Sequence, residues 1–157
     1  MRTTLGDMWN LPATAKVIPT NGIVNQYGHA VMGAGVALQA AQRVPELPGL
    51  LGGRLKDFGN RLFVFRLTEP ETHAVGAVYI ITLPTKYDWR DPAEISHLTR
   101  GVKQLVEASF AMGWQSILLP EIGMGLGGLP RESVYPVLRN HLDDRFTVVK
   151  YDTEKSM

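Results

Sequence analysis

Ser116-Ile-Leu-Leu-Pro120 runs straight into Glu121-Ile-Gly-Met-Gly-Leu-Gly-Gly-Leu-Pro130, an apolar run that ends in a turn built largely of glycine. The first part reads as a strand. In the second, Gly123, Gly125, Gly127 and Gly128 let the main chain turn sharply and come close to a ligand, and amides unshielded by side chains suit a pyrophosphate. A tight connection that needs glycine only for its φ angles is the alternative. Four glycines between positions 123 and 128 exceed that need, which favours a phosphate cradle. Pro130 is expected to be the first residue of a helix, whose N-terminus adds partial positive charge. Gly123, Gly125 and Gly128 also match G-x-G-x-x-G between a strand and a helix. A dinucleotide oxidoreductase should open on that motif and continue with several strands. Here one helix and one strand remain, so that class is set aside.

Two more glycine turns follow apolar runs. Pro19-Thr-Asn-Gly22 ends the short strand Lys16–Thr20, and Val31-Met-Gly-Ala-Gly35 opens a helix expected over 33–43. Taken alone, Asn21 is either a turn asparagine or an amide that holds a sugar hydroxyl. Leu83-Pro-Thr-Lys-Tyr-Asp-Trp-Arg90 follows a further apolar strand. Its Lys86 is either a solvated charge or an amine held near a ligand, where it can attack an aldehyde-like sugar carbon. Tyr87 and Trp89 belong to the core or cover the site. Arg90 meets phosphate or pairs with Asp88 or Asp91.

β-rich runs predict further strands at 62–67, 77–83 and 146–151. Asp91-Pro-Ala-Glu94 has the pattern of a capping box and predicts a helix that ends at Gly113. A helix is expected over 130–142, and the Pro- and Gly-rich stretch 45–53 is expected to be a loop. Strands alternating with helices imply an α/β layer sandwich with a mixed sheet. Ligands bind at the carboxyl ends of strands in such sheets. Asn21, Lys86 and the Gly123 loop all follow strands, so they can share one rim.

The chain has 157 residues, a net charge of +1, 45% hydrophobic residues and no cysteine. That length fits one domain with a real core. The near-neutral balance excludes non-specific electrostatic gripping of nucleic acid, and the missing cysteine excludes disulfides and thiolate chemistry. The four histidines have no metal-site spacing, so no metal is expected. No signal peptide or membrane span is expected, and a cytoplasmic monomer is the working expectation. The polar tail 153–157 is expected to fray.

Together these residues resemble the macro domain family, the ADP-ribose-binding α/β/α fold, over most of positions 1–157. The resemblance implies a single three-layer α/β/α domain with a central mixed sheet. Gly6-Asp7-Met8 resembles the family element whose acidic residue binds the adenine amino group. Asn21 matches an asparagine that contacts the distal ribose. Gly33, Ala34, Gly35 and Val36 match the first glycine loop. Ile122, Gly123, Met124, Gly125 and Leu126 match the second, which wraps the diphosphate. Tyr151-Asp152 resembles the terminal aromatic element near the adenine.

Val31–Gln39 and Leu83–Arg90 are similar to the branch that holds the human terminal ADP-ribose glycohydrolase and the antitoxins that reverse thymidine ADP-ribosylation of DNA. Lys86 falls on the lysine essential to that branch. The human enzyme's catalytic aspartate falls at Gly127, and the turn between Asn21 and Val31 is longer than in the antitoxins. The resemblance implies an ADP-ribosyl glycohydrolase in which Lys86 and Asn21 are catalytic and no cofactor is used. ADP-ribose is the implied ligand, single-stranded ADP-ribosylated DNA an acceptor, and a cognate ADP-ribosyltransferase toxin a partner. Glu121 or His29 would supply a proton. A non-catalytic ADP-ribose reader and an ADP-ribose 1″-phosphate phosphatase are the alternatives.

Overall fold

The computed structural model describes residues 1–151; Asp152 and the tail 153–157 lie outside the described residues. Six strands form one sheet: β1 (Arg2–Gly6), β2 (Ala15–Thr20), β3 (Phe63–Arg66), β4 (Tyr79–Pro84), β5 (Ile117–Pro120) and β6 (Phe146–Tyr151). Their order is β1-β6-β5-β2-β4-β3. All neighbours are parallel except β3, which pairs antiparallel with β4 at the edge. The sheet is therefore mixed, and the carboxyl ends of the five parallel strands lie on one rim.

Five helices cover the two faces: α1 (Gly35–Arg43), α2 (Leu47–Phe58), α3 (Glu69–Val75), α4 (Ile95–Met112) and α5 (Arg131–His141). Side chains alternate across a strand, and the sequence uses that alternation. Ile18, Ile80, Leu118 and Val149 point into a core with α1, α2 and α3. Val17, Ile81, Ile117, Leu119 and Val148 point into a second core with α4 and α5. Both faces of the sheet are buried, which gives the three-layer α/β/α sandwich.

Four expectations change. Residues 47–58 form α2 rather than part of a loop. Leu47, Leu51 and Leu55 recur at helical spacing and are buried, and this apolar stripe outweighs the glycines between them. α4 starts at Ile95 with Glu94 as its cap, so Asp91 and Pro92 lie before the helix. Pro130 caps α5 instead of being its first residue. α1 begins at Gly35, two residues later than expected.

Two elements had no sequence prediction. α3 carries a capping box between Thr68 and Glu71 and ends at Gly76 in the left-handed conformation. β1 is an edge strand with exposed side chains, so it lacks the apolar alternation that marks a strand.

Candidate functional site

A cavity of about 910 Å³ opens at the carboxyl ends of β2, β4 and β5. Its volume suits a nucleotide-sized ligand. Asn21 follows β2, Lys86 follows β4, and the Gly123 loop follows β5. All three line it, together with Gly33, Ala34, Gly35 and Val36.

The two glycine turns face one another across this cavity. A Cβ built on Gly35, whose φ is +57°, would sit 3.5 Å from Leu126 Cδ1. Ala34 caps α1 without a side-chain hydrogen bond. The first-turn amides of α1 therefore have neither an intrahelical nor a capping partner. In the opposite turn, Gly128 N donates to Gly125 O and Leu129 N donates to Gly123 O. These bonds fix the loop, and Gly123, Gly125, Leu126 and Gly127 keep amides outside any backbone hydrogen bond among the described residues. Two sets of unshielded N–H donors on one cavity can hold a diphosphate. The helix terminus that contributes belongs to α1. α5, expected to do so from the sequence, starts outside the cavity lining.

Glu121 braces the second turn. Arg131 donates to its Oε1 at 2.9 Å and the Tyr135 hydroxyl to its Oε2 at 2.7 Å. Burial and this carboxylate push Tyr135 up to about 12. With both oxygens engaged, Glu121 acts as a strut. The other carboxylate that lines the cavity, Asp91, makes no side-chain hydrogen bond or ion pair among the described residues. The sequence reading missed it there by treating it as a helix cap. Gly127 holds no acid and has no room for one. An added Cβ would lie 2.6 Å from Gly123 O and 2.9 Å from Ala93 Cβ.

Lys86 is half-buried, and its Nζ makes no hydrogen bond or ion pair among the described residues. Its loop is held from behind. Asn60 Nδ2 donates to Lys86 O at 3.1 Å, and Gly22 N donates to Tyr87 O. Asn60 carried no sequence signal, since it comes from the distant turn before β3. Asn21 Oδ1 accepts from Ile23 N and its Nδ2 donates to Val31 O, both at 3.0 Å. Asn21 is thus a turn asparagine and a cavity residue at once. It closes the base of a small hairpin bridged between Val24 and Ala30. That hairpin carries His29 over Gly49 of α2 and outside the cavity lining, which removes His29 as a proton source.

The remaining predicted residues stand elsewhere. Ile122 is buried beneath its turn, and Met124 packs against the α4–α5 core. Asp7, Met8 and Tyr151 lie off the cavity lining. Tyr151 is paired in register with Gly6, so β6 and β1 bring Tyr151 and Asp7 to one end of the rim. The Asp7 carboxylate accepts from Trp9 N at 2.9 Å. Met8 is buried in the core with Trp9. Among the described residues, no group of three His, Cys, Asp or Glu side chains is placed to hold a metal ion. No helix of these residues is long and apolar enough to cross a membrane.

The family model for the macro domain matches residues 24–138. A curated DNA ADP-ribosyl glycohydrolase of Thermus aquaticus is 30% identical over 151 residues, which covers 91% of this chain and 38% of that protein. This chain therefore spans well under half the length of that relative. The macrodomain of Thermus aquaticus DarG superposes with a TM-score of 0.78 at 30% identity, covering 96% of this chain and 97% of that one. Thermosipho africanus DarTG in complex with ADP-ribose superposes with a TM-score of 0.81 at 21% identity, over 100% of this chain and 43% of that one. That likeness carries the fold alone.

Proposed function

The chain belongs to the macro domain family, and on that premise we propose that it is an ADP-ribosyl glycohydrolase that removes ADP-ribose from a modified DNA base, thymidine foremost. One observation carries this reading: two amide-rich glycine turns and an unpaired lysine line the same cavity. The relative's name, a DNA ADP-ribosyl glycohydrolase, supports the reaction and the acceptor.

In this reading the amides of Gly33–Val36 and Gly123–Leu126 hold the diphosphate without bringing full charges. Asp7 selects adenine, and Tyr151 stacks near it. Asn21 fixes the distal ribose, using the donor and acceptor capacity left over from its two loop bonds. Lys86 faces the anomeric carbon. It either attacks that carbon, so that the base leaves with the bonding electron pair, or stabilises the departing base electrostatically. In the first case, water then releases ADP-ribose and restores the amine. Asp91 is the carboxylate available to relay to the departing base the proton given up by the attacking amine or water. The chemistry needs water and no cofactor. A cytoplasmic site of action, a monomeric state and a cognate ADP-ribosyltransferase partner belong to the same proposal.

The test is incubation with ADP-ribosylated thymidine oligonucleotide, guanosine oligonucleotide and glutamyl protein. Release is expected from the thymidine substrate. It is expected to vanish in Lys86→Ala while ADP-ribose affinity stays within a few-fold. Undiminished turnover in that variant overturns the role of Lys86. Borohydride added within a single turnover separates the two routes: ADP-ribose fixed on Lys86 from the ADP-ribosylated substrate, and not from an equal amount of free ADP-ribose, marks the covalent one. A reader that binds ADP-ribose without turnover is the second reading, favoured by the absence of an acid at Gly127. Binding without release from any acceptor selects it.

A further inference from the structure

The loop that carries Lys86 also carries two aromatic rings that the interior does not use. Tyr87 is 60% exposed and Trp89 53% exposed. Neither is core, and Trp89 lines the cavity beside Lys86. A large exposed aromatic ring on a mobile loop has little meaning, but this loop is pinned. Asn60 holds the Lys86 carbonyl, and Gly22 holds the Tyr87 carbonyl. The Tyr87 ring edge also packs so closely on Gly22 that a Cβ there would lie 2.9 Å from Tyr87 Cδ2. Arg90 donates to both carboxylate oxygens of Asp88, at 3.0 and 2.6 Å, and its guanidinium stands 5.7 Å from the Trp89 ring centre.

We propose that Tyr87 and Trp89 form a stacking shelf for the nucleotides that flank the modified base in a single strand. The inference rests on the glycohydrolase reading and adds which side chains hold the nucleotides beside the modified one. An acceptor whose sugar bond lies at Lys86 starts beside this loop, because Trp89 lines the cavity with Lys86. Its neighbours then meet two ordered aromatic faces. Bases stack on such faces whatever their identity. Arg90 is paired with Asp88, and Lys86, the loop's free cation among the described residues, is committed to the sugar, so the shelf works by stacking more than by phosphate contact. That agrees with a chain of net charge +1. A duplex would keep the flanking bases stacked on each other and unavailable, so the strand must be single.

Binding tests the shelf independently of turnover. The Lys86→Ala protein is titrated with ADP-ribosylated thymidine as a mononucleoside and inside a short single-stranded oligonucleotide. The oligonucleotide is expected to bind on the order of 10-fold more tightly, since stacking on one aromatic ring is worth about that factor. Adding Tyr87→Ala or Trp89→Ala removes most of the gain, and Tyr87→Phe keeps it. Phe110→Ala, which removes an exposed ring that packs on Arg145, also keeps it. Equal affinity for the two ligands overturns the shelf, as does a gain that survives both alanine substitutions. An equal Tyr87-dependent gain with an ADP-ribosylated peptide assigns the surface to protein and overturns it as well. Failure of the glycohydrolase reading shows separately, as wild-type protein that binds these ligands and releases nothing.

Discussion

Gly127→Ala is the smallest change that tests how the second turn is built. The added Cβ would meet the main chain of Gly123 at 2.6 Å and Ala93 Cβ at 2.9 Å. The first of these is backbone, so no rotamer change relieves it. Gly127 is also tied to the segment before α4, because Ala93 N donates to Gly127 O at 2.9 Å. The turn must therefore shift as a unit. Overpacking of this kind costs about 1–3 kcal/mol. At this chain length each kcal/mol moves the melting temperature by about 2–4 °C, so a fall of about 2–12 °C is expected. The shift also moves the amides aimed at the ligand. Losing one charge-assisted hydrogen bond, worth about 1.5–3 kcal/mol, weakens ADP-ribose binding by about 10- to 150-fold. Gly127→Asp brings the same Cβ and is expected to weaken ADP-ribose binding at least as much. Gly53→Ala is the control, because nothing lies within 4 Å of its added Cβ and it sits inside α2. Scanning calorimetry with and without ADP-ribose reads both effects. An unchanged melting temperature and affinity in Gly127→Ala would refute the reasoning.

Three more outcomes follow from individual side chains. Burial in the α1–α3 layer lowers Lys16 from 10.5 to about 8, although nearby Asp7 opposes the shift. The unfolded chain then holds a proton that the folded chain has released between those values. Stability therefore rises from about pH 8 toward pH 10, by about 1.4 kcal/mol per pH unit at most. Lys16→Met flattens that rise in urea titrations and stabilises the protein at pH 7; an unaltered pH profile contradicts the assignment. Asp91→Asn is expected to lower kcat on ADP-ribosylated DNA by about 100-fold or more, within the range for general acid–base catalysis, and to leave ADP-ribose affinity unchanged. Equal kcat removes Asp91 from the proton path. Glu121→Gln loosens the strut to Arg131 and Tyr135 and should cost about 1–3 kcal/mol in chemical denaturation. No loss would mean the turn is held by its own backbone bonds.

The rim was legible because its residues sit where apolar runs end. Lys16–Thr20, Ala77–Leu83 and Ser116–Pro120 each announce a strand, and Asn21, Lys86 and Gly123 follow within three residues. The glycine turns were legible because few other roles need four glycines in so short a stretch. Long-range placements escaped, and so did one helix. The helix α2 hid behind Pro48, Gly49, Gly52 and Gly53, whose local preference gave way to the burial of Leu47, Leu51 and Leu55. Asn60 and Asp91 escaped because their placement is long-range: Asn60 crosses from the turn before β3 to Lys86, and Asp91 is positioned by the bond between Ala93 and Gly127. Lys16 also lands inside the protein because it shares a strand face with Ile18, which one lysine in a short run does not reveal.

The central claim is that the amides of two glycine turns converge on one diphosphate. Calorimetric titration of the purified chain with ADP-ribose tests it most directly. A saturable one-to-one isotherm is predicted, with adenosine and ribose 5-phosphate each binding far more weakly than the intact diphosphate. No binding heat, or adenosine binding as tightly as ADP-ribose, would contradict it.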